Sequence, residues 1–219
     1  MKIHPILFST PMVQAILEGR KTQTRRIITK QNSDYDLPFL ELNFNDSILY
    51  GDGYMKVKHK VEDTRHRVFA KIEADDVLWV RETSACIGFD INGEDIEGGV
   101  WIYKADGQKA QEHLDMTEVP TWRPSIYMPK EACRIFLKVK SVRPERLQDI
   151  NGYDCTQEGI LVGDGNGCYN YETKKYDLKT DTIKSFQTLW QSINGKESWQ
   201  QNPYVWVYEF ERTTKPTNF

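Results

Sequence analysis

The segment from Arg20 to Lys30 has the highest density of chemically useful side chains. It contains five basic residues and no acidic one, so it can bind a phosphate or a carbonyl oxygen. Within it, Lys21 and Thr24 are the pair best suited to catalysis. A threonine hydroxyl becomes a nucleophile when a base takes its proton. A lysine is such a base when burial or neighbouring cations lower its pKa. Three cations adjoin the pair: Arg20, Arg25 and Arg26.

This basic segment also fits a purely structural role, because basic residues often protect the exposed edge of a strand. A catalytic role sets a geometric condition, since residues three apart point to opposite faces of a regular strand. Lys21 therefore has to lie in a turn after Gly19, or a bulge has to intervene, before Lys21 and Thr24 can line one pocket.

Composition limits the classes of function. The 219 residues fit one domain over 1–219 with a core that needs no disulfides. With 29 Lys and Arg against 32 Asp and Glu, the net charge is -3, which excludes a general nucleic-acid coat. The four cysteines lack zinc spacing, and no phosphate-binding or dinucleotide motif occurs, so we expect free thiols, no metal and no cofactor. Apolar runs are short and no signal peptide is visible, which predicts a cytoplasmic protein without membrane contact.

The pattern of helices and strands comes next. Thr10 as N-cap and Pro11 in the first turn predict a short helix that ends at Gly19, with a strand over 20–28 after it. Residues 31–70 are turn-rich and read as an insertion. It includes a tight turn at 51–53 and a hairpin that pairs Tyr54–Lys60 with Arg65–Ile72.

The remaining chain alternates short strands with short helices. Strands are predicted over 77–82, 99–103, 134–142 and 204–210, helices over 151–158 and 183–193, and a loop over 163–180. The strand at 204–210 is apolar on both faces, which is typical of a central strand. Six or seven strands with few long helices favour a barrel-like α+β domain over a doubly wound sheet.

Several stretches resemble ASCH-domain proteins of the PUA-like superfamily, in particular a branch encoded by phages and prophages. The matching stretches, in the family's order, are 17–26, 76–83, 122–129, 147–150 leading to 158–159, and 202–210. The resemblance implies a small mixed β-barrel with short flanking helices. The insertions at about 31–70 and 163–180 lie outside it.

The same resemblance implies a chemistry. The superfamily is associated with RNA and modified nucleosides, and one small bacterial branch hydrolyses the amide of N4-acetylcytidine with a Lys and a Thr from a GRKTxT motif and a Glu. Lys21 and Thr24 match that motif position by position. Glu158 is the best match for the glutamate, and Glu82 is the substitute. The resemblance therefore implies a catalytic set of Lys21, Thr24 and Glu158.

Other residues are assigned to binding a modified nucleoside or RNA. In the expected mechanism Arg26 or backbone N–H groups stabilise the oxyanion, and an aromatic residue, Tyr127 or Trp122, stacks on the pyrimidine, with a contribution of about 1–3 kcal/mol. The binding set is Arg20, Arg25, Arg26, Arg81, Glu82, Arg123 and Tyr127. Three alternatives stay open: a non-catalytic RNA or modified-nucleotide binding module, a ribonuclease, and a phage accessory protein with a degenerate cleft. The sequence does not predict an oligomeric state.

Overall fold

The computed structural model describes residues 1–28, 42–50, 54–59, 65–89, 95–108, 120–165 and 167–219. Within them the fold is mixed α+β, as predicted, and strands dominate. The helices are α1 (Thr10–Leu17), α2 (Gly152–Gln157) and α3 (Thr182–Asn194). The strands are β1 (Ile3–Leu7), β2 (Gln23–Ile27), β3 (Leu42–Tyr50), β4 (Tyr54–His59), β5 (Arg65–Phe69), β6 (Val77–Arg81), β7 (Ser84–Phe89), β8 (Asp95–Tyr103), β9 (Phe136–Arg146), β10 (Cys168–Asn170), β11 (Lys175–Asp177) and β12 (Tyr204–Thr213).

The largest sheet has five strands in the order β1-β6-β9-β12-β2. Strand β1 runs parallel to β6, and β12 runs antiparallel to β2 with Val205 opposite Ile27. Strand β12 lies inside the sheet and buries Val205 to Tyr208, which confirms the prediction of a central strand. Among the residues described, the sheet is open instead of forming the barrel expected from the sequence.

The chain divides into two compact units, and the first comprises Met1–Lys2, Arg20–Asp76 and Lys138–Glu211. Its core lies where α2 and α3 pack with β12. The buried residues there are Leu147, Ile150, Cys155, Ile160, Phe186, Trp190, Val205 and Val207. Both helices begin at side-chain caps, because Asn151 accepts a hydrogen bond from the Asp154 amide and Asp181 from the Lys184 amide. Helix α3 forms over the predicted range and buries Phe186 and Trp190, whereas Ile183 and Ile193 are exposed.

Two segments of this unit differ from the sequence prediction. The segment 163–180, predicted as a loop, contains the hairpin β10–β11, in which Tyr169 packs on Tyr176 at 5.4 Å between ring centroids. In the insertion, β4 and β5 pair as predicted, and β3 adds an unpredicted third strand. The predicted turn at 51–53 lies outside the described residues.

The second unit comprises Ile3–Gly19, Val77–Leu137 and Arg212–Phe219. Helix α1 is capped by Ser9 instead of the predicted Thr10, because Thr10 already has helical geometry. The helix ends at Glu18, and Gly19 then takes a left-handed φ of 76° that glycine adopts without strain. Phe219 packs edge-on against Phe136 in the core of this unit.

No helix in the described part of the chain combines the length and the apolar character needed to cross a bilayer.

Candidate functional site

The first unit brings Lys21 and Glu158 into direct contact. Lys21 lies two residues before β2, and Glu158 caps the C-terminus of α2; the two residues form an isolated antiparallel bridge. The Lys21 Nζ donates 2.8 Å hydrogen bonds to Oε2 of Glu158, to the Glu158 carbonyl and to the Gln23 carbonyl. The side chains are 0% and 4% exposed. A buried ammonium therefore has three acceptors, one of them a carboxylate.

The local chain path explains this contact. The left-handed Gly19 turns the chain after α1, so Lys21 lies outside the regular strand. The Thr22 amide then donates to the Gln157 carbonyl at 2.9 Å, and Arg20 donates to the Gly159 carbonyl at 2.9 Å. The residues on both sides of Lys21 are thus hydrogen-bonded to the end of α2. Lys21 lies in the turn after Gly19, which is the position that a catalytic role requires.

Electrostatics make Lys21 an unusual lysine. Burial lowers the pKa of its ammonium, Glu158 opposes that change, and the positive charges of Arg26 and Arg25 add to the lowering. The sequence predicted that neighbouring arginines would act in this direction. Because burial disfavours the charged form, Lys21 releases its proton more readily than an exposed lysine does.

Thr24 is close in sequence and lies on a different face. It sits in β2 opposite Tyr208 and is 2% exposed. Side chains alternate along a strand, so Thr24 points away from the face on which Arg25 donates to Gln23 and to Glu158. Its hydroxyl is not one of the three acceptors of the Lys21 ammonium.

Arg25 is the centre of a buried charge network. Its side chain is 0% exposed. Nη1 donates to Oε1 of Glu158 at 3.1 Å, and Nη2 donates to Glu145 and Asp154 at 3.0 Å each. Arg143 extends the network, because it also binds Glu145 and lies 3.8 Å from Asp154. In this structure the guanidinium of Arg25, which the sequence assigned to substrate or RNA, contacts carboxylates of the chain itself.

A groove of about 480 Å³ opens next to this network. Its lining is Thr22, Gln23, Lys140, Tyr153, Asp154, Gln157, Glu209, Phe210 and Glu211. Three carboxylates and one ammonium give it an acidic character, and Tyr153 is 72% exposed. Thr22 and Gln23 are the residues between Lys21 and Thr24, so the groove reaches the backbone that joins the two candidate catalytic residues.

Arg26 lies on the Thr24 face of β2. It is half-buried, and it interacts electrostatically with Tyr208, whose pKa burial raises and Arg26 pulls down. A cation on the same strand face as the candidate nucleophile is suitably placed to stabilise an oxyanion there.

Four predicted site residues belong to the second unit. Glu82 is 1% exposed and pairs with Arg134 through bonds of 2.9 and 3.0 Å. From the sequence alone, a structural Glu82 at the end of its strand would be expected to pair with Arg81 or Arg26, but its partner is Arg134. Arg134 also binds Asp106 at 2.8 Å and stacks 3.8 Å from the Tyr103 ring centroid. These contacts give Glu82 a structural ion pair.

The other three predicted site residues, Arg81, Arg123 and Tyr127, lie in or beside one turn of the second unit. Arg81 donates to the carbonyls of Ile126 and Met128 and so holds the turn at 125–127. Tyr127 in that turn is 70% exposed. Arg123 is exposed, and its backbone forms a bridge with Ser84.

Sequence reasoning missed several members of the charge network. Asp154 and Glu158 are four residues apart, which places them on the same side of a helix. Arg143 and Glu145 are two apart on β9 and share a face. Tyr153 was missed too, since an aromatic residue in a short helix reads as core. The spacing in the sequence could have shown that the members of each charged pair share a face. Only the fold shows that these pairs converge on Arg25.

A metal would need a different donor set. Across the described ranges, no group of three or more His, Cys, Asp or Glu side chains is arranged to hold an ion. The cysteines are free thiols, with Cys86 exposed and the other three buried.

Comparison with models of known protein families, with curated proteins and with solved structures finds no match for this chain. Function therefore has to be inferred from the side chains of the site.

Proposed function

We propose that the chain is an ASCH-type amidohydrolase that removes the acyl group from an N4-acetylcytidine-like nucleoside. The observation that carries this proposal is the buried contact between Lys21 and Glu158. The two residues are 137 positions apart, and the resemblance to ASCH proteins had assigned both to one catalytic set. Membership in the PUA-like superfamily is part of the proposal. It is supported by the position of the GRKTxT motif directly after α1.

The proposed chemistry starts with a proton transfer inside the buried pair. Lys21 passes one proton to Oε2 of Glu158 and becomes a neutral amine, because burial disfavours the ammonium form of Lys21. Because Lys21 and Thr24 lie on different faces of β2, Lys21 then takes the hydroxyl proton of Thr24 through one intervening water molecule while the Thr24 oxygen attacks the acyl carbonyl. Arg26 stabilises the oxyanion on that face.

Collapse of the tetrahedral intermediate breaks the C–N bond. Lys21 donates its extra proton to the departing cytidine amine, and the acyl group remains on Thr24 as an ester. A water molecule, deprotonated by the neutral amine of Lys21, then attacks the ester. This step releases the carboxylic acid and returns the proton to Thr24.

The groove supports a small, uncharged substrate. Among the described residues that line the groove the one cation is Lys140, which is paired with Glu211, so the groove offers little to a phosphate backbone, whereas an uncharged nucleoside needs no such cation. The exposed ring of Tyr153 offers a stacking surface for a base, with a contribution of about 1–3 kcal/mol. Its lining by Thr22 and Gln23 provides a route towards the buried catalytic residues.

One specific observation favours a second candidate, a non-catalytic reader of modified nucleosides. All three donors of the Lys21 ammonium have acceptors, and Thr24 points to the other face of β2. In a reader, the Lys21–Glu158 pair would only stabilise the fold next to the groove, and no acyl transfer would occur.

The deciding experiment incubates the purified chain with N4-acetylcytidine and follows cytidine and acetate by chromatography. Thr24→Val should lower the rate at least about 100-fold, whereas Thr180→Val, a control at an equally buried threonine outside the groove, should keep most of the activity. Glu158→Gln should be equally damaging, with Glu82→Gln as its control.

The results separate the two candidates. Absence of cytidine from the unaltered chain would refute the hydrolase. A quench of tyrosine and tryptophan fluorescence by N4-acetylcytidine without turnover would then support the reader. Turnover that survives Thr24→Val would refute Thr24 as the nucleophile.

A further inference from the structure

Arg25 is placed to control Lys21 through the carboxylate that they share. We propose that Arg25 is a positioning residue that holds one oxygen of Glu158 while Lys21 takes the other, and thereby sets how readily Lys21 releases its proton. The catalytic meaning of this control rests on the proposed function, but the effect on Lys21 does not.

The shared carboxylate is held from two directions. Oε1 of Glu158 accepts from Arg25 at 3.1 Å, and Oε2 accepts from Lys21 at 2.8 Å. Arg25 cannot turn towards a ligand without losing three carboxylate partners, because it also binds Glu145 and Asp154. Its guanidinium packs 5.9 Å from the centroid of Phe186, which closes the site on another side.

The charges around Lys21 predict the sign of the control. Glu158 favours the ammonium, whereas Arg25 and Arg26 disfavour it. Loss of the Arg25 charge therefore stabilises the ammonium and leaves Glu158 to Lys21 alone. Loss of a carboxylate that neutralises Arg25 has the opposite effect, because more of the guanidinium charge then acts on Lys21.

Three variants test the predicted direction of the change in the Lys21 pKa. Arg25→Gln should raise the pKa of Lys21, and Asp154→Asn should lower it. Arg143→Gln is the matched control, since it removes the same charge from the same network but Arg143 has no hydrogen bond to Glu158. It should shift the Lys21 pKa upward by much less than Arg25→Gln. A merely structural Arg25 predicts a different pattern, because loosening the site exposes Lys21 and moves its pKa upward in all the variants.

The measurement is an NMR titration of the chain with lysine labelled by 13C at Cε. The Lys21 signal is identified by its absence from Lys21→Met. In parallel, the pH dependence of kcat/KM for N4-acetylcytidine is recorded, and its rising limb should move in the same direction as the Lys21 pKa. If Arg25→Gln does not fold, the downward shift in Asp154→Asn still tests the proposal.

Failure of this proposal is distinct from failure of the proposed function. An upward shift in Asp154→Asn, or equal shifts in Arg25→Gln and Arg143→Gln, would overturn the role of Arg25 even in an active hydrolase. Opposite shifts in a chain that does not hydrolyse N4-acetylcytidine would establish the control of Lys21 and refute only the hydrolase.

Discussion

Replacing Lys21 by methionine should destabilise the fold strongly. The thioether has a similar length, so packing changes little, but the buried charge and its three hydrogen bonds disappear. Glu158 is then left buried with Arg25 as its cation. Removing one partner of a buried ion pair costs about 3–5 kcal/mol. Domains have a total stability of about 5–15 kcal/mol, so this loss is a large fraction.

Urea unfolding at pH 7, followed by far-UV circular dichroism, measures the loss. Lys140→Met is the matched control, because Lys140 lies 3.5 Å from Glu211 and both side chains are 58% exposed. An exposed pair of this kind contributes less than about 1 kcal/mol. If Lys21→Met lowers the free energy of unfolding no more than Lys140→Met does, Lys21 is not held as the structure describes.

Two further predictions concern pH and a turn. Because the pKa of Lys21 lies below its ordinary 10.5, the folded chain binds fewer protons than the unfolded chain between these two values. The free energy of unfolding relative to Lys21→Met should therefore rise as the pH approaches 10.5 in urea titrations, and a fall would contradict the sign. Gly167→Ala should cost more than Gly165→Ala in the same assay: both glycines have left-handed φ, but only at Gly167 would a Cβ meet a carbonyl oxygen, at 2.1 Å. Equal costs would exclude that close approach.

The most periodic segments were predictable from the sequence. Helix α3 buries Phe186 and Trp190 at the spacing that the sequence showed, and β12 is a central strand because its residues are apolar on both faces. The hairpin β10–β11 was missed because its strands have three residues each, too few for alternation to appear. In such short strands the close approach of Gly167, just before β10, to the Asp177 carbonyl and the edge-on contact of Tyr169 with Tyr176 accompany the pairing.

The candidate site was also predictable from the sequence only in part. Lys21 and Glu158 were named from a resemblance of motifs, which compares residues at a distance in sequence. The role of Arg25 had no local signal, because its carboxylate partners are 120, 129 and 133 residues away. From the sequence alone, a basic residue in a basic segment is interpreted as a phosphate ligand. Only the fold shows which carboxylates neutralise it.

The neutralisation of these basic side chains limits the class of substrate that the site can bind. Salt-dependent binding of a polyanion requires exposed cations that can displace counterions. Here Lys21 and Arg25 are fully buried on carboxylates, Arg20 donates to the Gly159 carbonyl, and Arg26 is half-buried beside Tyr208. The positive charge that made this segment look like an RNA surface is therefore largely used inside the first unit. The groove next to it has Lys140 as the one cation among its described lining residues, paired with Glu211, which favours a small neutral nucleoside over a nucleic-acid strand.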